Sequence, residues 1–380
     1  MSAHIGAVSS VNALIGKVFT QPKGDLAGRL NSRFTVAILA VSAGLLLSTH
    51  FWGDPITCWT PAEFPRIWSD FVNQFCYVEG TYFANLDEQL EFNDDHRKRN
   101  FISYYQWIPY FLALQAFAFY MPRFVWNVLA SFSGFDLGGC IKYVDSVWHK
   151  IRGGNFHGRM DLLEKQVGTY VWDAIRLARR HKRGRMVFYY IIYGVIQAAN
   201  AWLMFYWLND LIDSPLYSFH GPSVIADLLS GKNWQETGHF PRITHCDVPR
   251  RMLANSPKQT VNCVLTLNIY YEKLLLFLWF WMLFVCCVSS ANCMSWVLTM
   301  CTPARSQERI RAYLACHAGS VYLDKFFRAL GHDGVFVLHQ IALNMGDLPA
   351  SYVAMALYNV VIEFDHETTA LLEKSGAKAV

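Results

Sequence analysis

The sequence predicts an all-α membrane protein with four transmembrane helices. Its N- and C-termini are placed in the cytoplasm, beside a helical cytoplasmic domain, and its outer loops form a disulfide-stapled extracellular loop domain. Three observations predict this. Of 380 residues, 53% are hydrophobic and only 16% charged, a balance more apolar than that of ordinary soluble domains. Residues 34–53, 100–122, 186–209 and 274–304 contain no Asp, Glu, Lys or Arg, and each is long enough to cross a hydrocarbon core of about 30 Å at about 1.5 Å of rise per residue. Residues 1–33 and 126–186 carry 15 Lys and Arg, whereas 53–104 and 210–268 carry 9, which assigns the basic side to the cytoplasm.

In residues 1–33, Ile5, Val8, Val11, Ile15 and Val18 recur at three- and four-residue steps opposite Ser9, Ser10 and Asn12. That is the period of an amphipathic helix. Such a helix lies on the inner membrane surface or folds inward to line a pore, and spacing leaves both readings open. Lys17, Lys23, Arg29 and Arg33 precede the first apolar run and no small-residue cleavage pattern follows it. The run at 34–53 is therefore read as a retained span, not a secretory signal.

An outer loop, 54–104, leads to a second span at 105–125. Its entry reads Tyr104, Tyr105, Gln106, Trp107, Ile108, Pro109. Amphipathic rings suit the headgroup level and mark the outer end of the span. Pro109 falls in the first turns, where a missing N–H costs least. The loop at 126–186 is helical by pattern and closes on RRHKRGR, 179–185, an orientation signal and a contact for anionic lipid.

The third span, 187–209, carries Gln197 and Asn200 on one face, suited to binding a neighbouring helix or facing a pore. A second outer loop, 210–268, precedes the fourth span, 269–294, with Glu272 and Lys273 at its outer edge. Residues 295–380 read as a cytoplasmic domain and tail of several short helical stretches, containing LGHDGVF and NMGDLPASY. Within it, 348–362 is too short to span and contains Pro349, so it reads as a packed helix.

The ten cysteines sort by compartment. Cys58 and Cys76 fall in the first outer loop and Cys246 and Cys263 in the second; two even pairs in an oxidising space read as disulfides, with three possible connectivities. Cys286, Cys287 and Cys293 lie in the fourth span, and Cys140, Cys301 and Cys316 on the inner side. They read as free thiols, with lipidation of Cys301 as the minor alternative. His239, His245 and Cys246 lack a fourth ligand for a metal site.

No phosphate-binding loop, zinc-protease or hydrolase motif occurs, and no span carries an ionisable group in its middle. The expectation is a protein without enzymatic activity, cofactor, metal or nucleic-acid partner.

YYQWIP resembles the YYQWVP motif of the innexins, the invertebrate gap-junction proteins, with Ile108 where Val is usual. The same family is resembled by NALIGKVFTQPKGDLAGRLNSRFT near the start, GDPITCW at 53–59, NWQETGHFPRITHCD at 233–247 and LNIYYEKLLLFLWFW at 267–281. These matches run from the start to about residue 350. Connexins carry three cysteines in each outer loop and tetraspanins a CCG in the second, neither of which is present.

The resemblance implies a plasma-membrane channel subunit that forms a homo- or hetero-oligomeric ring, octameric in the best-described members, surrounded by membrane lipids. Two rings on apposed cells dock through their outer loops and pass ions and small molecules. It implies disulfides Cys58–Cys263 and Cys76–Cys246. It also favours an N-terminal funnel in the pore, lined by His4, Ser9, Ser10, Asn12 and Lys17. An undocked, pannexin-like hemichannel and a four-span adhesion or scaffold protein without a pore are the rivals. No N-x-[ST] acceptor occurs in either outer loop, which favours docking, since a glycan there would obstruct it.

Overall fold

The computed structural model of the chain describes residues 24–84, 101–182, 185–212, 240–250, 258–314 and 320–374, with a few isolated positions between 222 and 231. The chain divides into two compact units: residues 1–33, 120–199 and 288–380, and residues 34–119 and 200–287.

Most of the described chain is helical. Helix α1 joins Leu26–Arg29, a π-turn at Leu30–Thr35 and Val36–Trp52. Further along come α2 (Arg66–Glu79), α3 (Ile108–Ser133) and α4 (Leu137–Ile151). Helix α5 joins Phe156–Leu162, a π-turn at Leu163–Gly168 and Thr169–Lys182. Helices α6 (Met186–Ile212) and α7 (Thr266–Cys301) follow. Among the described residues, three stretches are long and apolar enough to cross a membrane: Leu26–Thr49, Met186–Leu211 and Thr266–Cys301. A fourth, α3, passes the same test together with α4, from which it is bent by 86°. The helices outrun the charge-free windows at their ends because continuing a helix requires backbone hydrogen bonds, not apolarity.

Pro122 lies inside α3 and has no N–H to offer the carbonyl four residues back. That carbonyl, Ala118 O, instead accepts from Asn200 Nδ2 of α6 at 3.2 Å. In hydrocarbon an orphaned carbonyl costs several kcal/mol, and a polar side chain on a neighbouring helix removes that cost. Gln115 Nε2 similarly donates to Met204 O at 3.0 Å.

The first unit gathers α4, α5 and the C-terminal helices around a core that includes Val144, Leu163, Val167, Leu330, Phe336, Val353 and Leu357. The tail is a correction to the sequence reading. Instead of short stretches throughout, it forms α8 (Pro303–Leu314), α9 (Ser320–Met345), itself two shorter helices meeting at a kink, and the long α10 (Asp347–Lys374, 28 residues). Pro349 does not interrupt α10, because it sits in the first turn, where no intrahelical N–H is needed.

The LGHDGVF segment lies at a break within α9. Gly331 adopts φ 64°, and a Cβ there would stand 2.6 Å from Arg179 Nη2. Arg179 donates through Nη1 to Ala329 O at 2.8 Å and through Nη2 to Leu330 O, satisfying carbonyls that the break releases. Asp333 accepts from the backbone N–H groups of Val187 at 3.2 Å and Met186 at 3.5 Å, capping the start of α6.

The second unit corrects the all-α expectation. Its loops form a five-stranded antiparallel sheet of order β1-β5-β4-β2-β3: β1 (Thr57–Trp59), β2 (Thr81–Tyr82), β3 (Phe101–Ile102), β4 (Ile243–Pro249) and β5 (Lys258–Val264). Strands of two or three residues carry too little periodicity to be read from sequence, and they persist because the β4–β5 hairpin templates them.

Candidate functional site

The β4–β5 hairpin sits between the strands of the first loop. Cys58 of β1 lies directly opposite Cys263 of β5 in register, and their sulfurs are bonded at 2.06 Å. Cys76, in the last turn of α2, bonds Cys246 of β4 at 2.02 Å. One bridge therefore fixes a strand to the hairpin and the other fixes a helix to it. Backbone N–H of Cys58 donates to Asn73 Oδ1 at 2.9 Å, and Thr60 and Ser69 hydroxyls bond at 2.8 Å, holding α2 beside β1.

On the other flank Asp247 Oδ1 accepts from Thr260 Oγ1 at 2.6 Å and Tyr82 OH at 3.0 Å, tying β4 to both neighbouring strands. The sulfurs of Cys58, Cys76 and Cys263 cluster within 4.8 Å, but all are oxidised, and metal ligation needs thiolate. His245 bonds Asn262 Oδ1 through Nδ1 at 2.8 Å. His239 lies outside the described residues.

The YYQW motif belongs to this platform. Tyr104–Gln106 form a 3₁₀ turn, Trp107 follows it, and α3 begins at Ile108, with Pro109 buried at its second position. Tyr105 is a correction to the headgroup reading: it is fully buried, its ring 5.3 Å from that of Tyr77. Its hydroxyl donates to Tyr77 O at 3.2 Å and Cys76 O at 3.4 Å. Gln106 Nε2 donates to Tyr77 O and, at 3.1 Å, to Val78 O.

These carbonyls lie in the last turn of α2, where the helix runs out of its own N–H donors; Cys76 O also accepts from Gly80 N–H at 3.2 Å. The motif thus closes α2 one residue position from the Cys76 bridge. Tyr104 packs edge-on against Phe240 at 5.7 Å, and Tyr271 OH of α7 donates to Tyr105 O at 3.1 Å. Trp107 is 66% exposed in the single chain. Gly80, at φ 99°, turns the chain out of α2, and a Cβ there would meet Phe101 Cζ at 2.4 Å.

The platform also presents Trp59, Ile67, Phe71 and Val78 to the surface of the single chain, Trp59 being 81% exposed. A patch of large apolar side chains is a candidate contact surface.

The funnel candidates His4, Ser9, Ser10, Asn12 and Lys17 lie outside the described residues, as do the rest of the N-terminal amphipathic stretch and Cys316. The segment's attachment point is described. Gly24 N–H donates to Asn344 Oδ1 at 2.7 Å. Asp25 Oδ2 accepts from Tyr190 OH, from Trp296 Nε1 at 2.7 Å and from Asn292 Nδ2 at 3.4 Å. Burial pushes the Asp25 carboxyl above the ordinary carboxylate range, a push that its three donors oppose.

Neither Asp25 nor Asn73 was singled out in the sequence, where each is one polar residue among many. Of the other cysteines, Cys140 and Cys286 are buried, Cys293 half-buried, and Cys287 and Cys301 exposed.

The innexin family model matches residues 24–361. The chain is similar to Innexin-6 of Caenorhabditis elegans, at 52% identity over 96% of this chain and 95% of that protein. It is also similar to Innexin unc-9 of the same organism, at 31% identity over 88% and 91%, and to Innexin-16, at 30% over 88% of each. A match of this extent, carried through both halves of the stapled platform and the helices that flank it, makes the chain a member of the innexin family.

Proposed function

We propose that the chain is a gap-junction channel subunit. It crosses the plasma membrane four times, at 34–53, 105–125, 187–209 and 269–294, with residues 1–33, 126–186 and 295–380 inside and the outer loops 54–104 and 210–268 facing the neighbouring cell. Like subunits form a ring around an aqueous pore, and the ring docks with its counterpart on the apposed cell to pass ions and small solutes. The N-terminal segment enters the pore with His4, Ser9, Ser10, Asn12 and Lys17 along its polar face.

The observation that carries this reading is the platform. Both loops are drawn into one sheet, closed by two disulfides, and its apolar side chains remain uncovered in a lone chain. Surfaces that must meet their counterparts across an intercellular gap gain from such preorganisation. A wide pore of low selectivity needs no dedicated ligand cage.

The test is dye transfer between paired expressing cells, with release from single cells measured in parallel. Transfer that requires contact supports docking. Release from single cells without transfer replaces it with the hemichannel, and adhesion without either replaces it with a scaffold.

A further inference from the structure

Within the first unit lies a cavity of about 560 Å³, in the size range of small-ligand sites. Arg29 at the start of α1, Arg123 and Trp126 of α3, Lys142 of α4 and Tyr193 of α6 contribute to its wall. Arg29 Nε is buried without a hydrogen-bond partner among the described residues. Desolvation first, and then the nearby charges of Arg123 and Arg29, lower the pKa of Arg33, so the three guanidiniums gather at one end of the cavity's helices.

Of the carboxylates in the wall, Asp25 is held at Oδ2 by its three donors, has no hydrogen-bond partner at Oδ1 among the described residues and faces the charge of Arg29, and Asp136 accepts from Gly139 N–H at 2.9 Å. Depth follows from the charge pattern. The apolar windows begin at 34 and 186 and end at 122, so Arg29, Arg33 and Arg123 stand at the basic, inner ends of the spans. That is the level of the lipid headgroups, and Trp126 and Tyr193 are the ring types that favour it.

We propose that this cavity binds the phosphate of an anionic inner-leaflet lipid. Arg29 and Arg123 donate to its oxygens, as planar guanidiniums do to phosphate. Lys142, exposed, stands at the mouth as a point charge. The acyl chains extend into the bilayer.

The test uses the detergent-purified full-length protein and soluble probes: dioctanoyl phosphatidic acid, dioctanoyl phosphatidylcholine and inorganic phosphate, with binding followed by thermophoresis. Phosphatidic acid is expected to bind more tightly than either of the others. Arg123→Gln should weaken it roughly tenfold, the loss of a charge-assisted hydrogen bond, and Arg123→Lys should weaken it less. Lys142→Gln, at an exposed position that folding tolerates, should weaken it several-fold, while the distant Lys325→Gln should leave it unchanged.

Unaltered affinity in both Arg123→Gln and Lys142→Gln overturns the site. Equal binding of phosphatidylcholine overturns the anionic preference, and equal binding of inorganic phosphate overturns the lipid as its source. None of these readouts depends on whether the protein conducts.

Discussion

Removing the disulfides one pair at a time should reveal a coupling between them. The bridges close loops of 205 and 170 residues. For either alone, the chain-entropy relation gives about 5 kcal/mol at room temperature. Once one is closed, the other closes a ring running only from Cys58 to Cys76 and from Cys246 to Cys263, about 35 residues, and adds about 4 kcal/mol.

A Cys76→Ala/Cys246→Ala variant should therefore lose about 4 kcal/mol of platform stability, and so should Cys58→Ala/Cys263→Ala, while loss of all four should cost about 9 kcal/mol. These are ceilings, because the flanking helices tether the unfolded loops. Hydrogen exchange of β4 and β5 in detergent-purified protein measures the opening free energy directly, and junctional conductance between paired cells reports function alongside. If removing one pair abolishes protection of the hairpin as fully as removing both, the stabilisation does not arise from chain closure and the reasoning fails.

Other outcomes follow from the same geometry. Gly80→Ala forces a side chain into φ 99° and against Phe101, and should cost about 2–5 kcal/mol, read as a lower Tm in scanning fluorimetry. Adding Phe101→Ala should restore part of that loss, the part due to overlap. Tyr105→Phe removes the buried donor to the end of α2 and should cost about 1–3 kcal/mol, lowering the exchange protection of Cys76 and Tyr77.

Asn200→Ala should orphan Ala118 O beside Pro122 and destabilise the bundle by about 1 kcal/mol; adding Pro122→Ala, which restores the helical N–H, should recover it. His339 donates to Ser306 O from a buried position that holds its pKa below the ordinary 6.5. Its neutral form is favoured in the folded state, so its contribution is complete above pH 6.5 and is lost as the pH falls toward the folded value. Thermal stability should decline on acidification below 6.5, and His339→Gln should flatten that decline.

The sequence reveals most where the physics is local. Apolar windows free of charge identify the three long helices and α3 because the absence of charge is read residue by residue along the chain. Tyr105 of YYQW misleads for the opposite reason: the carbonyls it satisfies lie 28 and 29 residues earlier, on α2. A buried Tyr105 and a headgroup Tyr look alike in sequence.

Asn200 was readable as a polar group contacting another helix. Its role opposite Pro122 needed the register between two helices, which spacing within either does not contain. The sheet was hidden because β2 and β3 have two residues each, and the cysteine spacing alone left three connectivities open. LGHDGVF stood out as a motif, yet its partners Arg179 and Val187 lie about 150 residues away.

The strand order bears on biogenesis. The strands of the first loop do not form a continuous sheet by themselves: β1 sits at one edge and β2–β3 at the other, with the late-synthesised hairpin between them. Translation must reach Val264 before the gap can be filled, and α7 starts two residues later, at Thr266. In a nascent chain stalled before that point, β1 and β2–β3 lack the hairpin that pairs them, and Cys58 and Cys76 lack their disulfide partners. Closure of the sheet and synthesis of the start of α7 are thus nearly simultaneous events, and a finished sheet is a record that the chain has been made as far as that helix.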